Sequence, residues 1–159
     1  MDEILKMLQK DSRQTVKQIA TALGSDEAKI RDRIAGYEAD NVIMKYTTLI
    51  DYDKLDEDSV TAMIEVKISP QHGDGYDRIA KRIYQYDEVE SLYLMSGAYD
   101  LLVTMTARTM KDAAQFVYEH LAAIEGVTST ATHFIMKKYK ENNCVFAIKP
   151  EQEERVLFV

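Results

Sequence analysis

Residues 60–69 read "VTAMIEVKIS", and their period is two. Val60, Ala62, Ile64, Val66 and Ile68 fall on one face, Thr61, Met63, Glu65 and Lys67 on the other, and Pro70 follows at once. Strict alternation is the pattern of a β-strand with one face on a core. A proline suits its end, having no N–H to give to a ladder. The stretch divides the chain, because the first 38 residues carry only helical spacing.

Upstream, Ile4, Leu5 and Leu8 mark one short helix. After "KDSRQ" a second begins, with Thr15 and Gln18 in the S/T-x-x-E/Q capping arrangement and Val16, Ile19, Ala20 and Leu23 as its apolar stripe. Gly24 turns the chain and Ser25 is placed to cap a third helix, "SDEAKIRDRIAGYE" over 25–38, with Asp26 and Glu27 favourable at its positive end. Helix, tight turn, helix suits either a DNA-binding unit or a bundle that only packs. The β-branched, alternating "VIMKYTTLI" that follows favours the first, as a wing or linker strand leaving a winged helix-turn-helix over residues 1–46.

Downstream, "GDGYDRIAKRIYQYDEV" returns to helical spacing through Tyr76, Ile79, Ala80, Ile83 and Tyr84. "VESLYLM" and "YDLLVTMTA" are two strands joined at "SGA" as a hairpin. Thr109 and Asp112 open a further helix with a stripe of Met110, Ala113, Val117, Leu121 and Ile124, closed by Gly126, and "VTSTATHFIMKKYK" is the last strand. The order β-α-β-β-α-β over residues 60–140 predicts a ferredoxin-like antiparallel sheet with two helices on one face, and an α+β class for the chain. Thr61, Met63, Tyr93 and Met95 leave the second face more apolar than a solvated sheet should be, so a second subunit is expected to cover it. Residues 47–59 are an acidic linker, and residues 141–159 are a tail ending on the apolar "VLFV".

Charge is partitioned along the 159 residues, whose net charge is −7. Residues 1–46 hold eight Lys/Arg and eight Asp/Glu, whereas the rest hold twelve and nineteen. The first part is neutral and the second carries the whole excess, which argues against non-specific nucleic-acid binding by the surface at large. One cysteine excludes an internal disulfide, and His72, His120 and His133 lack metal-ligand spacing with Cys144. No metal or cofactor is expected. With no long apolar run and no signal peptide, the expected location is cytoplasmic, away from membranes.

The run "ILKMLQKDSRQTVKQIATALGSDEAKIRDRIAGYEADNVI", the hairpin "SGAYDLLV" and the strand "GVTSTATHFIMKKYK", in this order and at these distances, resemble the leucine-responsive and asparagine-responsive (Lrp/AsnC) regulators of prokaryotes. The resemblance covers nearly the whole chain. It implies a winged helix-turn-helix followed by a RAM-type effector and oligomerisation domain, homodimers assembling to octamers on double-stranded DNA, and an amino acid or related small effector lodged between dimers near the hairpin. The third helix departs from the family in its acidity.

On a helical wheel Ile30, Ile34 and Tyr37 face the core, while Ala28, Lys29, Asp32 and Ala35 lie opposite with Arg31 at the edge. Ser25, Ala28, Lys29, Arg31, Asp32 and Arg33 are the candidate DNA-facing residues, with Lys29 and Arg31 best placed for phosphate or guanine, while Arg33 lies nearer the core side and is better suited to a local ion pair that braces the fold. Asp32 repels phosphate unless it accepts from a cytosine amino group. For the effector, the resemblance points to Gly97, Ala98, Tyr99 and Asp100 of the hairpin, with Thr130 and Thr132 of the last strand. A carboxylate suits an α-ammonium, and backbone N–H groups or hydroxyls suit an α-carboxylate. Spacing alone reads "SGAYD" as a turn, with Gly97 at positive φ and Asp100 bonding its own turn. Two other functions fit the same build: a siroheme-decarboxylase-like enzyme, and a co-regulator that oligomerises but binds DNA poorly by itself.

Overall fold

The computed structural model describes residues 2–55, 58–69 and 75–146. The chain forms two compact units, Met1–Ile50 and Asp51–Val159, dividing within the acidic linker. His72 and the apolar "VLFV" lie outside the described residues.

The first unit is three helices. α1, Glu3–Lys10, is capped by Asp2, whose carboxylate accepts from the Ile4 N–H at 2.8 Å. α2, Val16–Leu23, starts on a complete capping box: the Gln18 N–H donates to Thr15 Oγ1 at 3.2 Å, and the Thr15 N–H donates to Gln18 Oε1 at 2.8 Å. Gly24 then takes the left-handed conformation, φ 59°, that ends α2 and aims the chain at α3. α3 runs Glu27–Ala39 with Asp26, not Ser25, as its N-cap. Both residue types can cap, but the Asp26 carboxylate reaches two amides, Ala28 at 2.8 Å and Lys29 at 3.4 Å, while the Ser25 N–H is spent on the Ala20 carbonyl. The core is Ile4, Leu8, Ile19, Ala20 and Ile30, flanked by Met7, Val16, Ile34 and Ile43.

The expected wing strand is absent. Residues 42–50 form no ladder, and Val42, Met44 and Tyr46 are exposed. β-branched composition favours an extended backbone, but a strand needs a partner, and no other segment of 2–50 supplies one. Tyr46 instead donates to Glu38 Oε1 at 2.8 Å.

In the second unit β1 (Val60–Ile68), β2 (Val89–Leu94), β3 (Leu101–Ala107) and β4 (Val127–Phe134) form one antiparallel sheet in the order β2-β3-β1-β4. α4 (Gly75–Ile83) connects β1 to β2, and α5 (Met110–Phe116), continued by a π-turn over Val117–Leu121, connects β3 to β4. This is the ferredoxin-like arrangement. Thr109 caps α5 through the Asp112 N–H at 3.1 Å, and Gly126 closes the helical segment at φ 97°, where a Cβ would sit 2.9 Å from Ile79 Cδ1. Ala62, Ile64, Val66, Val103 and Met105 face Ile79, Ile83, Ala113, Phe116 and Leu121 across a fully buried layer. The alternation of residues 60–68 is thereby satisfied.

The last strand ends at Phe134, six residues short of the sequence reading. Ile135 still donates to the Thr61 carbonyl, but the chain then leaves the sheet and makes a second, two-stranded hairpin, β5 (Lys140–Glu141) with β6 (Cys144–Val145). Asn142 and Asn143, at φ 45° and 64°, form its turn, the pair of positive values that a tight hairpin requires.

Candidate functional sites

α3 buries only Ile30, with Ile34 and Tyr37 half-buried beside it. Ser25, Ala28, Lys29, Arg31, Asp32 and Arg33 are all exposed. Lys29 and Arg31 make no ion pair among the described residues, so the N-terminal half of the helix presents two unpaired cations and two unpaired acids, Glu27 and Asp32. Arg33 is committed. Its guanidinium pairs with the Asp2 carboxylate and donates to Tyr37 Oη at 3.0 Å, tying α3 to the cap of α1. Burial alone would raise the Asp2 pKa, but the Ile4 N–H, the Tyr37 hydroxyl and the Arg33 charge together hold it below the ordinary value.

The hairpin between β2 and β3 is a six-residue loop, Met95–Asp100, closed by the Met95 N–H on the Asp100 carbonyl at 2.8 Å. The Asp100 side chain does not bond its own turn. Oδ2 accepts from the Ile68 N–H at 2.7 Å, across the strand end where the β1–β4 register shifts between Lys67 and Ile68. Oδ1 accepts from the Tyr76 hydroxyl of α4 at 3.4 Å. Burial first, then the Asp100 charge and this hydrogen bond, raises the Tyr76 pKa, so the hydroxyl stays a donor. Sequence reading missed Tyr76 as a partner, having placed it in the core stripe of its helix. No local pattern links residues 24 positions apart.

Gly97 departs from expectation, since its φ is not positive and an added Cβ would meet nothing within 4 Å. The turn is long enough to need no left-handed residue there. The backbone N–H groups of Ser96, Gly97, Ala98 and Tyr99 donate to no other described residue, and Ser96, Gly97 and Ala98 are exposed. The loop thus holds four consecutive backbone donors without a described partner, and it ends on a half-buried carboxylate that has used two of its roughly four acceptor positions.

Thr130 and Thr132 are not gathered with this loop. Their partners are Val66 and Ile64, which puts both hydroxyls on the helix-facing side of β4, and β1 stands between β4 and β3. His133 and Glu65 lie on the opposite face, 3.3 Å apart. No group of three or more His, Cys, Asp and Glu among the described residues could hold a metal ion, and no helix is long and apolar enough to cross a membrane.

A helix-turn-helix joined to a ferredoxin-like unit is the build of a ligand-responsive DNA-binding regulator. The Lrp/AsnC ligand binding domain matches residues 61–145, and a winged helix-turn-helix DNA-binding domain matches residues 3–44. The chain belongs to the Lrp/AsnC family and is a transcriptional regulator of that type. It is 45% identical to the HTH-type transcriptional regulator YugG of Bacillus subtilis over 145 residues, 91% of this chain and 87% of that one. It is 31% identical to LrpA of Pyrococcus horikoshii over 137 residues, 86% and 94% of the two chains. The fold is shared with the transcriptional regulator NMB0573 of Neisseria meningitidis, solved in complex with L-methionine, at a TM-score of 0.72 and 22% identity over 89% of this chain and 93% of that one. These relatives are named as regulators, which implies a non-enzymatic role.

Proposed function

We propose that this regulator responds to a free amino acid bound at the 95–100 loop, and that it reads double-stranded DNA through Lys29 and Arg31 as a homodimer that assembles further, to an octamer. The observation that carries the effector reading is the run of four backbone N–H groups without a described partner in the loop that ends on Asp100. An α-carboxylate would be held by N–H groups of the loop, and an α-ammonium by the remaining acceptor positions of Asp100. The complex of NMB0573 with L-methionine supports the ligand class. Because Thr130 and Thr132 face the helices of their own subunit, further contacts to the effector would come from another copy.

For DNA, Lys29 and Arg31 sit on the first turns of the exposed face, where a recognition helix reaches the major groove. The neutral charge of the first unit and the free Asp32 leave each head weak. Linking several heads in one oligomer raises avidity by roughly 10² to 10⁴ without new contacts. The uncovered sheet face, with Met63, Leu102 and the 53% exposed Tyr93, supports assembly. Light scattering at tens of micromolar should find at least a dimer.

The effector reading is tested by screening amino acids for thermal stabilisation and titrating the hit by calorimetry. Asp100→Asn keeps an acceptor for the Ile68 N–H but removes the charge, so binding should weaken by about 2–4 kcal/mol. Gly97→Ala adds a methyl group to open space in the free protein, so any loss of affinity in that variant reports crowding of the ligand. Wild-type affinity in a folded, oligomeric Asp100→Asn protein would place the effector elsewhere.

A further inference from the structure

β2 lies at the edge of the sheet, so one side of its backbone presents N–H and C=O groups with no ladder partner. Free edges are usually blunted by lysine or proline, yet "VESLYL" has neither, and its one charge is Glu90. Tyr93 and Leu94 are 53% and 65% exposed. Pairing with β3 fixes the faces of the strand. Ser91 and Tyr93 stand opposite Thr104 and Leu102 on the open side of the sheet, and Leu92 and Leu94 stand opposite the buried Val103 and Leu101 on the helix side.

Beside β2, on the helix side, runs a groove of about 260 Å³ whose walls include Asp77, Ala80 and Tyr84 along α4 and Leu92 and Leu94 along β2. That is below the roughly 300–1,000 Å³ of a typical small-molecule site, and suits side chains of a neighbouring chain better than a free ligand. Asp77, Ala80, Lys81 and Tyr84 share one face of the helix by spacing, with the small Ala80 near its middle and Tyr84 57% exposed. Asp77 and Lys81 stand at the i,i+4 separation at which two such side chains meet on one helix. Both are exposed, yet neither is in an ion pair among the described residues.

Such a surface is complementary to itself. About a two-fold axis each Asp77 meets the partner's Lys81, a match of opposite charges made twice, and an antiparallel pair of identical strands obeys the same symmetry. We infer that β2 pairs edge to edge with β2 of a second copy of this chain, antiparallel, so that two four-stranded sheets become one and the α4 helices lie side by side over the seam. The register follows from the faces. Residues directly opposite in an antiparallel pair share a face, and the alignment that keeps apolar side chains together puts the axis at Tyr93: Tyr93 against the partner's Tyr93 on the open side, Leu92 against the partner's Leu94 on the helix side. An axis at Leu92 would set Leu94 against the charged Glu90, and an axis at Ser91 would do the same to Leu92. Main-chain hydrogen bonds along the joined edges supply affinity, and the groove and the charge pairs supply specificity. This contact is distinct from the open face of the sheet. One self-complementary patch closes at two copies, so assembly past a dimer needs a second patch, and the edge is that patch. The inference rests on the reading that the chain assembles, and on neither the effector nor the DNA.

The test uses the full chain at tens of micromolar. Asp77→Lys or Lys81→Asp alone should cut the light-scattering mass to half the wild-type value or less, with the circular dichroism unchanged. The double reversal, Asp77→Lys with Lys81→Asp, should restore the mass, because opposite charges again face each other across the axis. In a Cys144→Ser background, Leu92→Cys with Leu94→Cys should give a covalent dimer on a non-reducing gel. Both side chains lie on the helix side, so contact through the open face cannot form that bond. Wild-type mass in both single reversals overturns the inference and leaves the assembly reading standing, whereas a monomeric wild type overturns both. A double reversal that fails to restore the mass, or a cysteine variant that yields no covalent dimer, also overturns the inference.

Discussion

The two units solve the same problem with different reserves. The helical unit buries five residues and relies on its termini: a carboxylate cap on α1, a reciprocal box on α2, a two-amide cap on α3. The sheet unit has a core of fourteen buried apolar residues among the described ones and fixes its loop by hydrogen bonds running into that core. The difference governs what each surface can bear. On α3 the exposed Lys29, Arg31 and Asp32 make no ion pair among the described residues, so they can change without loss of stability. On the 95–100 loop the group best suited to a ligand is also a structural clasp.

The largest expected effect separates the reserves. Replacing a fully buried isoleucine by alanine costs about 2–5 kcal/mol. At roughly 0.05–0.15 kcal/mol per residue, a unit of 50 residues holds only about 2.5–7.5 kcal/mol in all. Ile19→Ala should therefore unfold the helical unit at 37 °C and abolish DNA binding, while Ile64→Ala, at the same burial, should leave the larger unit folded with a lowered melting temperature. Circular dichroism and exchange resolved by unit would read both. A helical unit that survives Ile19→Ala would mean that something beyond its own core sustains it.

Next come the two candidate sites, with comparable effects of opposite kind. Lys29→Ala or Arg31→Ala should weaken DNA binding by about 1–3 kcal/mol where the contact is to a base, or lower the salt slope by about one where it is to phosphate, with no change in melting. Asp32→Ala should strengthen binding or broaden its sequence preference. Asp100→Ala should do the reverse of the basic changes, costing stability by about 1–3 kcal/mol because it orphans the Ile68 N–H. Asp100→Asn should recover most of that loss. If the α3 substitutions destabilise and Asp100→Ala does not, the contrast between a free face and a clasped loop fails. A smaller effect follows from the capping box: Thr15→Ala should cost about 1 kcal/mol, within a range of 0.5–2, read as a shift in the helical unit's melting.

What the sequence disclosed follows from how local each determinant is. Periodicity over Val60–Ile68 and the caps at Thr15 and Thr109 act within a few residues, and each appears in the structure as read. The N-cap of α3 shifted by one because Ser25 and Asp26 are both competent and only the geometry after Gly24 chooses. The β5–β6 hairpin went unread because two-residue strands carry no period, although Asn142-Asn143 is a turn pair. The loop was hardest. Asp100 finds its partner 32 residues away, at a strand end where the register of β1 against β4 shifts, and that pairing also decides which way Thr130 and Thr132 point. The β-branched, alternating run at 42–50 reads as a wing or linker strand, but neither composition nor alternation can supply the partner.

The smallest effect concerns Arg33, the one candidate on α3 already engaged by its own fold. Its pair with Asp2 joins the third helix to the cap of the first, so Arg33→Ala should lower the melting temperature of the helical unit slightly, by about 4 °C or less, as for an exposed ion pair. The pH dependence identifies the cause. Asp2 has its pKa lowered in the folded state, so its contribution is present above the unfolded value, near 3.8, and is lost as pH falls through the folded value. The gap in stability between wild type and Arg33→Ala should accordingly be constant from neutral pH down to about 4 and then close as the acid is protonated, whereas Lys29→Ala should show no gap at any pH. DNA affinity completes the test, because an arginine turned toward Asp2 and Tyr37 has little left for phosphate: Arg33→Ala should retain most binding at temperatures where the unit is folded. A loss of binding as large as that of Arg31→Ala, with an acid profile like wild type, would show that Arg33 leaves Asp2 for DNA and that α3 has three reading cations instead of two.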